Sequence, residues 1–321
     1  VTWRRFGWIF SLILLGGLIA IVARRSEWEH FAEIIKRAKP NWLLGALVLQ
    51  LGTYVSAALV LKLGLNRSGI SVGLRSLLPL GFMKLAADQI LPTGGVTGTV
   101  LTVHALENRK VRVGASTAAV VVGLLGYHAA NAFSILSALT ILWVRGDLHK
   151  GILLPVSIVS LIIGIIPVAL IWLARGGASK TKGWLGRLPG VRHLLEAIAS
   201  APRSTLRDGR LFLYDALLQL SIIVVDAATL YVLFLSLGQA VDAKTVFAAF
   251  VLASLAGAIS LLPGGVGPFE AGSVAVFGWL GVPFELAVAG TLLYRAFTLW
   301  FPMAPGLLLA RRELAGEKAR R

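Results

Sequence analysis

This sequence predicts an all-α integral membrane fold, and three observations lead there. Hydrophobic residues make up 57% of the 321 positions and charged ones 14%, with a mean hydropathy of +0.81. A water-soluble domain of this length cannot bury so much apolar surface. The apolar residues come in runs of about 20, enough to cross about 30 Å of hydrocarbon as a helix. Two nearly identical phrases, LPTGGVTG at 91–98 and LLPGGVG at 261–267, interrupt such runs with proline and glycine, which break helices. The architecture expected is about six full transmembrane helices plus two helix–break–helix re-entrant hairpins, arranged as inverted repeats.

In chain order, residues 1–40 hold a first span at 6–23 and a surface helix. No A-x-A-like cleavage site precedes Arg24 and Arg25, so the run reads as a retained span rather than a signal peptide. Trp28, Phe31, Ala32 and Ile35 recur at helical spacing, as in an amphipathic helix lying on the bilayer. Residues 41–144 form a first repeat, with spans at 41–61 and 115–143 around a hairpin at 71–103. A span at 151–174 links it to a basic cytoplasmic loop at 175–210, where Leu188, Val191, Leu195 and Ile198 suggest a second surface helix. Residues 211–310 form the second repeat, with spans at 211–236 and 284–310 around a hairpin at 245–280. A basic tail, 311–321, ends the sequence. The hairpin halves 76–91 and 268–281 are too short to cross the bilayer straight.

The repeat shows as a shift of 171 residues, which carries Pro92 onto Pro263 and the span near 41 onto the one near 211. The order span, broken hairpin, span occurs twice. By the topology below, the two units enter from opposite faces, the arrangement of transporters that alternate access about a midplane site.

Charge sets the orientation and the partner classes. The net charge is +16 and the pI near 10.9. The basic residues lie between apolar runs, which points to anionic lipid headgroups and not to nucleic acid. With the N-terminus inside, 21 of the 31 Lys and Arg fall on cytoplasmic segments and 8 outside, placing both termini in the cytoplasm. The segment 24–40 runs against this rule, with five basic residues outside. There is no cysteine, and none of the five histidines forms an H-x-x-x-H pair. No catalytic residue, metal site or cofactor is therefore expected.

A break in hydrocarbon strands backbone N–H and C=O groups, and survives only against protein or a wet cavity. Pro92, Gly94, Gly95 and Gly98 in the first hairpin, and Pro263, Gly264, Gly265 and Gly267 in the second, remove side chains where a headgroup must approach. A helix starting after the break points free N–H groups and a positive dipole end into that cavity, suiting a phosphate. The plainer alternative is that these glycines let the hairpin halves pack tightly. Neither phrase is a nucleotide loop, since no G-K-[ST] follows.

Ionisable groups inside apolar runs are expensive and mark function or satisfied structural pairs. Lys84 and Asp88 stand four apart and can pair on one helix face, with Gln89 beside them. Glu270 follows the second break, and Arg295 lies in the last span. These two are expected to approach each other, or Arg295 to bind a lipid phosphate. Asp226 is an isolated acid in mid-span. Lys84, Asp88 and Asp226 are candidates for proton coupling or a polar path, while Asp215, His128 and Asn131 are further polar residues within membrane runs.

LLPGGVGPFEAG, then FGWLGVP, then LLYRAFTLWFPMAPGLLL, resembles the C-terminal signature of the flippase-like membrane domain of the lysylphosphatidylglycerol synthase family, also called multiple peptide resistance factor. DQILPTGGVTGTV takes the place of that family's first glycine-rich hairpin. The resemblance covers roughly 5–312. It departs after Gly98, where relatives show glycine–acid–x–x–arginine and this chain has Thr99, with no arginine until Arg109. Full-length members carry a soluble aminoacyltransferase domain, so the resemblance implies a stand-alone membrane half without synthase activity. It further implies a bacterial inner-membrane flippase or transporter for a phospholipid or related polar lipid. A non-transporting scaffold for a separate lipid-modifying enzyme, and a lipid-modifying membrane enzyme, are the alternatives; homo-oligomerisation stays open.

Overall fold

Helix boundaries follow capping residues written into the sequence. In the computed structural model, which describes residues 38–90, 96–147, 208–260 and 262–303 with Lys36 and four positions between 305 and 309, every regular element is helical. The expected spans at 6–23 and 151–174, the two surface helices, the tail, and Pro92, Gly94 and Gly95 lie outside the described residues.

Helix α1, Pro40–Arg67, opens on a proline in its first turn, where the missing N–H is no loss. Helices α2, Leu74–Ile90, and α3, Val96–Asn108, form the first broken pair. Helix α4, Val113–Arg145, ends on Gly146 in the left-handed conformation, φ 75°, the usual helix stop. Helix α5, Gly209–Ser236, is capped by Asp208, whose carboxylate accepts from the N–H groups of Arg210 and Leu211. Helix α6, Ala243–Ile259, is capped by Asp242 through Thr245 N–H. A tight turn, Pro263–Gly265, leads to α7, Pro268–Trp279. Helix α8, Phe284–Arg295, runs on through a π-helical turn at Ala296–Trp300.

Among the described residues, four helices are long and apolar enough to cross a membrane: α1, α4, α5 and the continuous stretch Phe284–Met303. The half-helices are not. At 1.5 Å per residue, the 17 residues of α2 span about 26 Å and the 12 of α7 about 18 Å.

Contacts at both ends fix the directions of the helices. Lys39 N–H donates to Ser236 C=O at 2.8 Å, while at the opposite end Arg67 Nε meets Asp208 at 2.5 Å. Between them Gly45 faces Val232, Gly52 faces Val225, and Ser56 lies beside Ser221. So α1 and α5 run antiparallel along their whole length. Helix α4 also opposes α1, with Gly64 pressed on Ala119 and Gly123 on Val60. It finishes where Arg145 Nη1 bonds Asp242 at 2.7 Å and Thr245 at 2.8 Å.

The two broken pairs therefore start and finish at opposite ends of the bundle. Helix α2 descends from the Arg67 end, its Gly81 against the backbone of Tyr54 to Ala58, and α3 returns to Arg109 and Arg112 beside the start of α4. Helix α6 begins beside Arg145. Helix α7 doubles back along it, Gly272 against Ala256, and α8 then begins near the end of α5, where Gly290 packs on Phe234.

The apolar core divides in the same way. One cluster, with Leu61, Leu65, Leu77, Leu80 and Leu106, fills the Arg67 end. A second, with Leu142, Leu230, Phe234, Phe277 and Val288, fills the Arg145 end. Large apolar side chains also face outward, among them Leu44, Leu136, Leu213 and Phe301, as lipid contact requires. Trp42, Trp143 and Trp279 are exposed near the Arg145 end, where indole rings suit a membrane interface.

Candidate functional site

Between the two apolar clusters lies a polar layer built around both breaks. In the first, Lys84 and Asp88 sit one turn apart on α2, and Lys84 Nζ donates to Asp88 Oδ2 at 2.9 Å. Asp88 Oδ1 accepts from Gly98 N–H at 2.8 Å. One carboxylate thus satisfies a stranded donor in the first turn of α3 and is neutralised by a cation from α2. Gly98 is glycine because a Cβ there would lie 2.5 Å from both Asp88 Oδ1 and the Lys84 carbonyl.

The second break uses the same device with different parts. Glu270 Oε2 accepts from Gly267 N–H at 2.6 Å, a carboxylate capping the start of α7. Glu270 Oε1 accepts from Arg295 Nε at 2.6 Å, and Arg295 Nη2 donates to the Gly264 carbonyl. Arg295 lies over the Phe269 ring, 4.8 Å from its centre, and that ring stacks on Tyr294. Gly264, Gly265 and Gly267 have φ of 67°, 60° and 94°, a region that other residues enter only with strain. Gly265 also passes so close to Gly257 that a Cβ would lie 3.0 Å from its Cα.

A cavity of about 290 Å³ opens between the breaks. Lys84, Asp88 and Gln89 line it from α2, and Gly264, Gly265 and Arg295 from the second break and α8. Tyr127 and Asn131 come from α4, Gln219 and Asp226 from α5. Tyr127 is also 36% exposed. Gln219 Nε2 donates to the Gly123 carbonyl at 2.9 Å. Asp226 Oδ1 is buried without a hydrogen-bond partner, and Asp226 makes no ion pair with a described residue.

Of the residues singled out from sequence, Lys84, Asp88, Gln89, Asn131, Asp226, Gly264, Gly265 and Arg295 are brought together around one space. Gly98, Gly267 and Glu270 stand behind its wall and hold the breaks in shape. Pro263 contributes backbone to the second turn. His128 and Asp215 are buried outside the cavity lining, Asp215 packed against Gly126. Sequence reasoning passed over Gln219 and Ser254, which also line the cavity. Gln219 was findable by the rule that singled out Asp226, a polar residue in mid-span. Ser254 carries no such signal.

A UPF0104 membrane protein from Methanothermobacter thermautotrophicus is 23% identical over 316 residues, covering 93% of this chain and 92% of that one. A phosphatidylglycerol lysyltransferase from Bacillus subtilis is 33% identical over 92 residues, 29% of this chain and 11% of the enzyme. The sequence pattern described as the lysylphosphatidylglycerol synthase TM region matches residues 8–306, nearly the whole chain. With its helical bundle and apolar spans, this protein belongs to the lysylphosphatidylglycerol synthase TM region family.

Proposed function

We propose that this protein moves a phospholipid or related polar lipid between the leaflets of the bacterial cytoplasmic membrane, as a flippase or lipid transporter. The observation that carries the reading is the charged cavity between two broken helix pairs, set between two apolar clusters. Its volume decides how a lipid would use it. About 290 Å³ is at the lower limit of small-molecule sites, enough for a headgroup and too little for acyl chains. The tails would stay in the bilayer while the headgroup passes through the polar layer.

The antiparallel course of α1 and α5, and the opposite entry of the broken pairs, support reading 41–144 and 211–310 as inverted repeats with re-entrant hairpins. Lys62, Arg67, Arg75, Arg109, Lys110, Arg112 and Arg210 lie at the Arg67 end, against Lys36, Lys39, Arg145 and Lys244 at the other. That imbalance favours the Arg67 end as cytoplasmic.

The test is reconstitution into liposomes carrying trace fluorescent phospholipids of anionic, zwitterionic and aminoacylated headgroups, followed by quenching of the outer leaflet from outside. Protein-dependent loss of more than the outer-leaflet signal is expected for at least one headgroup. Inner-leaflet fluorescence that stays protected for all of them would sink the transport reading.

A further inference from the structure

A second, smaller recess of about 40 Å³ lies behind Asp226, between α1, α2, α5 and the π-helical turn after α8. Gln50, Thr53, Tyr54, Gln89, Asp226 and Thr298 line it, so its polar wall is rich in oxygen. Gln89 and Asp226 line the central cavity as well. The volume holds an ion with at most a small number of waters.

Two oxygens on this wall's side chains are buried and unpartnered, Gln50 Oε1 and Asp226 Oδ1. The orientation of the Gln50 amide follows from its neighbours. Thr53 donates its one hydroxyl proton to the Gln50 backbone carbonyl at 2.7 Å, so its lone pair must accept from Gln50 Nε2, 3.2 Å away. The amide oxygen is thereby turned from Thr53 and left as a free acceptor. Thr298 likewise donates to Tyr294 C=O at 2.9 Å, leaving lone pairs for another partner. Buried acceptors without donors are rare and demand explanation. A carboxylate without a cation inside a membrane bundle demands it more.

We propose that this recess is a binding site for a sodium ion, with Asp226 as the charged ligand and Gln50 and Thr298 as neutral oxygen ligands. A single cation answers both unpartnered oxygens of this recess at once. The charge fits a monovalent ion, since one carboxylate neutralises Na⁺ but leaves a divalent ion with uncompensated buried charge. Among the described residues no group of three His, Cys, Asp or Glu offers a transition-metal site. The π-helical turn belongs to the same pattern, because such turns are rare and concentrate at functional sites. The site itself does not depend on lipid being moved. Its sharing of Asp226 with the central cavity would couple sodium to transport, a consequence that rests on the transport reading.

Binding of ²²Na⁺ to the purified full chain in detergent tests this directly, with ionic strength held constant by N-methyl-D-glucamine chloride. Saturable binding is expected, displaced by unlabelled sodium more effectively than by potassium. Asp226→Asn should raise half-saturation at least about tenfold, the loss of one charged ligand. Thr298→Val, which keeps the side-chain shape, should raise it several-fold and decides the matter if Asp226→Asn fails to fold. Absence of saturable binding by the folded wild type overturns the site. So does binding that neither substitution weakens, or a wild type stabilised by acid and indifferent to sodium, which would mean Asp226 takes a proton instead. These outcomes are read without any lipid assay, so failure of transport and failure of sodium binding remain separate results.

Discussion

Glu270 and Arg295, 25 positions apart in the chain, form an ion pair at 2.6 Å with side chains 2% and 4% exposed. Each also holds the backbone of the break, Glu270 at Gly267 N–H and Arg295 at the Gly264 carbonyl. Three glycines in left-handed conformations are thus clamped from both sides by one pair. The guanidinium is already shared between a carboxylate and a carbonyl, so its first role is to hold the turn.

Removing one member leaves a buried charge alone, which in proteins costs about 3–5 kcal/mol. Glu270→Gln or Arg295→Met should lower the unfolding temperature in detergent strongly, and the double variant should recover part of the loss. Single variants with wild-type unfolding temperatures would show that the pair does not hold the break. Because stability responds first, lost transport in these variants would not by itself identify a lipid contact.

Gly98→Ala should destabilise by about 1–3 kcal/mol, the usual range for overpacking. Its methyl would lie 2.5 Å from the Lys84 carbonyl, and backbone cannot swing aside as a side chain can. Gly278 is the control: a Cβ there meets nothing within 4 Å, so alanine should be neutral or stabilise by up to about 1 kcal/mol through helix propensity. Equal unfolding temperatures for the two variants would count against the close approach at the first break.

Ser254 lines the central cavity and belongs to neither ion pair, so Ser254→Phe places a ring there while leaving both pairs' own residues in place. Lipid movement should fall to the rate of protein-free liposomes while the unfolding temperature stays near wild type. Val144→Phe, on the 73% exposed outer surface, should transport normally. Unimpaired transport by a folded Ser254→Phe protein would place the lipid path elsewhere.

At the Arg145 end, the Asp242 carboxyl is held below its ordinary value of 3.8, first by Thr245 N–H, then by the Thr245 hydroxyl and by Arg145. A lowered acid stabilises the fold fully above its unfolded value, and the contribution fades as pH falls through the folded one. Unfolding temperature should therefore lose a component as pH drops below about 3.8, and Asp242→Asn should flatten that part of the profile. An unchanged profile in Asp242→Asn would mean the cap contributes nothing in the acid range.

Composition and periodicity alone determined the membrane class, the four described spans, the places where two helices break and the presence of costly charges within them. These are local properties: a run of 20 apolar residues, a proline before two glycines, a lysine one turn from an aspartate. Only the tertiary structure decided what the charges do. Asp88 and Glu270 emerge as caps for half-helices because Gly98 N–H and Gly267 N–H lie within reach, a matter of how each hairpin folds back. Asp226 emerges as an acid on the cavity wall with an unpartnered oxygen, since no described cation pairs with it. Gln50 joins it across α1 and α5, 176 positions apart in the chain, through an antiparallel contact that no local pattern encodes. Hydrophobic periodicity reports which solvent a face prefers; which polar groups meet inside depends on helix direction and register, set by packing between distant segments.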